Sequence, residues 1–319
     1  MSSVRTLRIG TRASALALWQ ANRVADLIRA QAGAPAVELV HIRTEGDMRT
    51  DVPLWAVDGR AFFTKEIDRA LLASEIDLAV HSLKDLSTVL EQGTELAAVV
   101  ERQDPRDAFL SREGVSFANL PAGSRIGTSS LRRRAFLKHL RPDIQAMELR
   151  GNVPTRVEKM QSGEYDAIIL ASAGLVRLGL DKHITERLHT TDFTPAVSQG
   201  AIGVCARSED AETLRWLRSL DNASARLETT AERALLRKIE GGCQVPLGAL
   251  ARVAGDELRL FSQVCALDGS RQALAEGSCA LTFTEAAALG ERVANELLLK
   301  GANEIIAIER GTKRGVAPA

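Results

Sequence analysis

Apolar residues recur along the first eighty positions in two alternating rhythms. Leu7 to Gly10 form a short apolar run, and Ala17, Ala21, Val24 and Ile28 then share one helical face that Gly33 and Pro35 close. Val37 to Ile42 reads as the next strand. A helix is predicted from Phe63 to Ala73, and Ile76 to Val80 is a continuous apolar run suited to a strand covered on both faces. Strands alternating with helices predict a parallel α/β sheet. Between these elements, Thr44 to Arg60 carries charges, two glycines and a proline without a sustained period, which is the pattern of a mobile loop over a site.

The second hundred residues repeat the theme. Arg8-Ile9-Gly10-Thr11 recurs as Arg125-Ile126-Gly127-Thr128, each followed by a small polar stretch and a helix. Glu75-Ile76-Asp77 is echoed by Glu164-Tyr165-Asp166 before a second apolar strand, Ala167 to Leu170. Two similar α/β domains are therefore expected, one from residues 1–100 with 200–219 and one from 101–199. After Ser219 the character changes: a long helix from Ala223 to Ile239, a turn-rich loop from Glu240 to Gly248, antiparallel strands from Leu258 to Leu267 and Arg271 to Phe283, and a closing helix from Glu285 to Leu299. Residues 220–319 read as a smaller α+β domain.

Polar groups gather where the predicted strands end, which is where open α/β sheets bind ligands. Gly127 to Arg134 joins a strand end to an apolar helical stripe, with Thr128 or Ser129 as the expected N-cap. A helix start leaves amide N–H groups unpaired and favours an anion, and Arg132 and Arg133 add forked donors. The same turn also reads as a capped helix with a solvated basic face. Arg12 and Ser14 form a second such turn, Arg150 to Arg156 a third, and Arg177 follows a fourth strand. Arg132, Arg133, Arg150, Arg156 and Arg177, five arginines beyond strand ends, suit several carboxylates. His81, Ser82, Lys84 and Asp85 follow the strand that ends at Val80.

Composition narrows the ligand. With 41 basic and 41 acidic residues the formal charge is zero, so the arginine turns read as a local site for a small anion and not as a nucleic-acid surface. Met1 to Gly10 contains no long apolar core, and no window approaches the roughly 18 apolar residues of a membrane span, so a cytosolic protein without a membrane partner is expected. The four cysteines show no CxxC pair or metal spacing, which predicts free thiols and no structural metal. Cys265 and Cys279 fit strand patterns as core thiols. Cys243, between glycines and a proline, is the exposed candidate.

Arg12-Ala13-Ser14, His81-Ser82-Leu83-Lys84-Asp85, Gly127 to Arg133, Arg150-Gly151-Asn152 and Gly241-Gly242-Cys243-Gln244-Val245-Pro246 occur in that order. Over nearly its whole length the chain resembles the hydroxymethylbilane synthase, or porphobilinogen deaminase, family. The resemblance implies three domains, the first two folded like type II periplasmic binding proteins and the third bearing a dipyrromethane cofactor thioether-linked to Cys243. It implies a monomeric transferase that condenses four porphobilinogens head to tail with loss of ammonia, then releases hydroxymethylbilane by hydrolysis. Asp85 matches the catalytic carboxylate, although an ion pair with Lys84 is the other reading of that residue. Ser14, Lys84, Thr128, Ser129, Ser130, Arg132, Arg133, Arg150 and Gly151 match cofactor-binding positions. Arg12, Ser14, Phe63, Arg150, Arg156, Arg177 and Gln199 match substrate-binding ones. The chain departs from the family pattern at Gly59-Arg60-Ala61-Phe62-Phe63, at Ser87 where proline is common, at Ser198 in place of glycine, and at Cys205 where glutamate is frequent. A non-catalytic anion-binding or effector-sensing module shares the two-domain plan but has no need of the cysteine loop.

Overall fold

The computed structural model describes residues 6–48, 64–239 and 245–307. β1 (Leu7–Thr11), α1 (Ala15–Arg29), β2 (Val37–His41), a short α2 (Glu45–Met48), α3 (Lys65–Leu72), β3 (Leu78–Ser82) and β4 (Thr94–Arg102) build most of a first lobe. The chain crosses at residues 103–106 into a second lobe, made of β5 (Asp107–Ser111), β6 (Arg125–Gly127), α4 (Leu131–Leu140), β7 (Gln145–Met147), α5 (Val153–Gln161), β8 (Ala167–Ala171), α6 (Ser172–Arg177) and β9 (Glu186–Arg187). It returns through residues 196–200 to add β10 (Ala201–Arg207) and α7 (Ala211–Arg218) to the first lobe. The third unit comprises α8 (Ala223–Lys238), β11 (Leu247–Ala254), β12 (Glu257–Cys265), β13 (Gln272–Ala280) and α9 (Phe283–Leu297).

The sheets run β2-β1-β3-β10-β4 and β7-β6-β8-β5-β9, with a separate antiparallel β11-β12-β13. The two lobes thus share one strand order, as the internal repeat predicts. They are mixed, however, and not wholly parallel as expected: β10 runs antiparallel to β3 and β4, and β5 runs antiparallel to β8. In each lobe the antiparallel strand is the one entered directly from a crossover. An apolar run carries no sign of its direction, so periodicity could not reveal this. Helices cover both faces of the first sheet: Val24 and Ile28 of α1 with Leu217 of α7 on one side, and Ile67 and Leu71 of α3 on the other. Fully burying such a side chain contributes about 1.5–3 kcal/mol.

The internal repeat survives at atomic detail. Arg8 donates to Asp77 through its backbone N (2.9 Å) and Nε (3.0 Å), and Arg125 does the same to Asp166 (2.8 and 3.4 Å). Gly10 and Gly127 match for a steric reason. A Cβ there would lie 2.3 Å from Ile76 in one lobe and 2.9 Å from Tyr165 in the other, each the residue two before the neighbouring strand.

The third unit departs most from expectation. β11 differs from the expected loop: Leu247 and Gly248 read as the end of the turn-rich stretch, and the small residues after them carry little strand signal. Phe283 opens α9 instead of ending a strand, and that helix runs on into a wide turn at Leu298–Ala302. Cys265 is buried as expected, whereas Cys279, on the edge strand β13, is only half-buried. Of the stretch expected to be an aperiodic loop, α2 takes the start, and residues 49–63 lie outside those described.

The third unit seats itself on the crossovers. Glu232 of α8, wholly buried, accepts from the backbone N–H of Ser198 (2.6 Å) and of Ala251 (2.8 Å) and meets Arg102 at 2.8 Å. Arg102 also donates to Glu228 (3.0 Å) and to the carbonyl of Gln199 (3.2 Å). One carboxylate therefore joins the end of β4, the return crossover and β11. Ser198 has φ +60°, a left-handed conformation that costs a serine about 1 kcal/mol or more, and its N–H bond to Glu232 helps hold it there. Removing one partner of a buried pair leaves the other uncompensated. Glu232→Ala is expected to destabilise the protein by about 3–5 kcal/mol, read as a clear fall in the urea midpoint. An unchanged midpoint would show that the knot contributes nothing.

Candidate active site

Three strand-to-helix turns and one 3-10 turn converge between the lobes. In the first lobe β1 ends at Thr11, Arg12 follows, and Ser14 caps α1 by accepting from the N–H of Ala17 at 3.3 Å. β3 ends at Ser82 and passes into the 3-10 turn Leu83–Asp85 that presents Lys84 and Asp85. Arg12, Ser14, Gln20, His81, Ser82 and Asp85 line a small cavity of about 80 Å3. Gln20 bonds Ser82 at 2.9 Å. Burial, and then the Arg12 guanidinium, push the His81 pKa down to about 4, so the ring is neutral at pH 7. Its Nε2 has no hydrogen-bond partner among the described residues.

In the second lobe Ser130, not Thr128 or Ser129, caps α4, accepting from the N–H of Arg133 at 3.4 Å. All three residues can cap, and the register is decided by where Ser129 goes: its hydroxyl donates to the Leu149 carbonyl and ties the turn to the neighbouring one. Thr128 accepts from the N–H of Ser130 at 3.3 Å. Gly151 sits at φ +115°, its carbonyl accepts from Nε of Arg156 at 2.7 Å, and Asn152 caps α5.

The arginines divide into two kinds. Arg132 and Arg133 face inward onto Asp107, a buried carboxylate that sequence reading did not pick out. Arg132 reaches Asp107 at 2.7 Å and the Thr194 carbonyl at 2.6 Å; Arg133 reaches Asp107 at 2.7 Å and the Ile169 carbonyl at 3.0 Å. Burial would raise the Asp107 carboxyl, but the two guanidinium groups overcome it and hold the pKa well below the usual carboxylate range. Nε of Arg132 keeps no partner among the described residues. Arg177, from α6, stacks over Trp19 of α1 (5.4 Å), donates to the Gly200 carbonyl (2.8 Å) and lies 3.7 Å from Glu101, so it braces the lobes against each other. Gln199 is likewise engaged, donating to Asp107 (2.9 Å) and the Pro105 carbonyl (2.7 Å) while Lys84 approaches its oxygen at 3.5 Å.

Arg156 belongs to the other kind. Burial and then the neighbouring charges of Arg133 and Arg150 push its pKa down to about 10, against the opposing pull of Glu148 and Asp85. It stays cationic at neutral pH, in a neighbourhood crowded with like charge. Burial also lowers the Lys84 pKa, with Asp85 opposing and Arg133 adding. Asp85 of the first lobe and Arg133 and Arg156 of the second therefore share one electrostatic environment. Phe63 and Cys243 lie outside the described residues. Gln20 carried a signal that was not used, a polar residue on the apolar stripe of α1. Asp107, 25 residues before Arg132, carried none.

Residues 7–215 match the family model "Porphobilinogen deaminase, dipyromethane cofactor binding domain" and residues 226–299 match "Porphobilinogen deaminase, C-terminal domain". A porphobilinogen deaminase of Roseiflexus sp. (strain RS-1) is 48% identical over 303 residues, covering 95% of this chain and 99% of its own. One from Geobacter sulfurreducens is 47% identical over 308 residues, covering 96% and 95%. Among solved structures, an ancestral cationic amino acid solute binding protein has a TM-score of 0.42 at 16% identity, covering 67% of this chain and 87% of that one.

His81 yields a pH test. Its folded pKa of about 4 lies below the ordinary 6.5, so the unfolded chain binds the extra proton between those values. The stability tied to the neutral ring is present above pH 6.5 and is lost as pH falls towards 4, by up to about 3 kcal/mol. Urea midpoints of wild type and His81→Asn should therefore converge or cross between pH 7 and pH 4.5. A constant difference across that range would mean that the buried ring does not titrate as described.

Proposed function

The chain belongs to the porphobilinogen deaminase family, and we propose that the cleft between its lobes binds the carboxylates of a dipyrromethane group and of porphobilinogen, with Asp85 as the catalytic carboxylate. Members are transferases of tetrapyrrole biosynthesis that condense porphobilinogen stepwise, with loss of ammonia, into hydroxymethylbilane. The crowding of Arg156 against Arg133 and Arg150 carries this reading. Like charges so arranged are relieved by anions, and every pyrrole of substrate and cofactor brings an acetate and a propionate. The residues present fit such a group.

Arg12, Arg150 and Arg156 would hold these carboxylates, each well-formed charge-assisted bond contributing about 1.5–3 kcal/mol. Ser14 and Ser130 already use an oxygen lone pair as helix caps, so each would act on a carboxylate as a hydroxyl donor. Arg132 and Arg133, committed to Asp107, would contribute through their remaining N–H groups and field. When bound, the cofactor supplies a pyrrole carbon as the nucleophile to be extended. Asp85 stabilises the positive charge that develops on porphobilinogen as its C–N bond breaks and accepts a hydrogen bond from the pyrrole N–H. Neutral His81 adds no competing cation beside Arg12.

Cys243 is the proposed anchor. Burial pushes the thiols of Cys205 and Cys265 up to about 12 and raises that of Cys279, leaving all three poor thiolates. We also take the protein to act in the cytosol as a monomer, as its resemblance to the family implies. Among the described residues no helix is long and apolar enough to cross a membrane.

Intact mass tests the anchor: wild type is expected to carry an adduct of dipyrromethane size and Cys243→Ala to lack it. An adduct persisting on Cys243→Ala would reject the assignment. Turnover of porphobilinogen tests the carboxylate. Asp85→Asn, supplied with preassembled cofactor, should lose on the order of 100-fold or more in kcat, and near wild-type turnover would return Asp85 to the role of an ion-pair partner of Lys84.

A further inference from the structure

The turn bearing Asp85 is held from outside its own lobe. Within the first lobe the turn closes with a bond from the N–H of Leu86 to the Leu83 carbonyl at 3.3 Å. The chain then leaves in extended backbone at Leu86 (φ −84°, ψ 131°) and does not re-enter a strand until Thr94. Across this stretch, α8 of the third unit lays two guanidinium groups. Arg233 donates from Nη1 to the Leu86 carbonyl at 3.1 Å and from Nη2 to the Ser87 carbonyl at 2.5 Å, and Arg237, one turn on, donates to the Thr88 carbonyl. Three successive carbonyls after Asp85 thus point to one helix. Leu86 packs beneath them, 5% exposed, which blocks rotation of the segment about its own axis.

We infer that Arg233 is a positioning residue for the Asp85 carboxylate. The inference rests on the assignment of Asp85 as the catalytic group. A planar guanidinium can bridge two adjacent carbonyls with a fixed angle between its N–H groups, whereas an ammonium binds as a point and leaves the pair free to pivot. Since Asp85 immediately precedes the clamped residues, a pivot at Leu86 moves the carboxylate within the cleft. The helix has two further roles that give the clamp its sense. Its Glu232, adjacent to Arg233, holds the crossover at Ser198. Its last residue, Lys238, stands five positions before Cys243. One rigid element therefore sets the carboxylate relative to the crossover and to the segment that bears the proposed anchor.

The experiment is a double-mutant cycle on cofactor-loaded protein, with loading verified by intact mass. Arg233→Met and Arg233→Lys are each made alone and with Asp85→Asn, and kcat and KM for porphobilinogen are measured. Misplacing a reacting group by about 1 Å costs on the order of 100-fold. Arg233→Met is accordingly expected to lower kcat by about 10- to 100-fold with KM changed less than about 3-fold, with Arg233→Lys falling between it and wild type. In the Asp85→Asn background, Arg233→Met should lower kcat no further. Should Arg233→Met fail to fold or load, Arg233→Lys carries the same cycle. Equal losses in both backgrounds, or a loss confined to KM or to cofactor loading, would overturn the positioning role and leave Arg233 a structural contact. If Asp85→Asn alone turns over near wild type, it is the assignment of Asp85 that fails.

Discussion

Asp107 has no exposed surface and yet carries a charge, and the rest of the cleft is arranged around keeping it there. A buried carboxylate is stable only with strong compensation. Here Arg132, Arg133 and Gln199 supply it, from the first turns of α4 and from the return crossover. Because two guanidinium groups meet one carboxylate, the internal pairing is incomplete by one positive charge. Arg156 adds to the positive field nearby, with Glu148 and Asp85 opposing it. One internal acid thus secures the second lobe while leaving a positive field on the cleft side of it.

The third unit works by the same means at a second point. Glu232 gathers Arg102, the Ser198 N–H and the Ala251 N–H, and Arg226 of the same helix donates to the carbonyls of Leu96 and Ala97 on β4. Such contacts join α8 to the first lobe and the crossovers more than to the second lobe. The second lobe meets the third unit at the β12–β13 turn, where His139 bonds the Gly269 carbonyl at 2.7 Å, at Cys265, which is buried in that lobe's apolar core, at Thr194, whose hydroxyl donates to Gln263 (3.0 Å), and at Pro195, whose carbonyl accepts from the Ala249 N–H (2.9 Å).

Sequence reading reached the architecture wherever a local pattern carries global meaning. Matched strand-glycine-threonine turns revealed the duplication because the same steric need for Gly10 and Gly127 exists in both lobes. It placed Arg12, Lys84, Asp85, Arg150 and Arg156 at strand ends, and the structure gathers these around one cleft. Strand direction escaped it, since Asp107 to Leu110 and Ala201 to Ala206 look alike whether they run up or down. Pairing escaped it too. Arg132, Arg133, Arg177 and Gln199 read as ligand donors because their acceptors, Asp107, Gly200 and Pro105, lie far along the chain, and no local spacing announces a tertiary contact. The Ser198 departure, by contrast, gains its meaning from backbone shape, for a left-handed φ explains why glycine suits that position.

The interleaving of the two lobes has a consequence for how the polypeptide is made. β10 fills the gap between β3 and β4, yet it is encoded about a hundred residues after β4 ends. At synthesis rates of about 5–20 residues per second, that gap stays open for roughly 5–20 seconds on the ribosome. The strands of the second lobe, which all lie between residues 107 and 187, are made within that interval. The lobe begun first is therefore the one finished later, and until Arg207 emerges the apolar edge of β3, Leu78 to Val80, has no strand beside it. An unpaired apolar edge invites pairing with other chains. For this protein the interval most open to misassembly falls during translation, while the first lobe waits for the strand that joins β3 to β4.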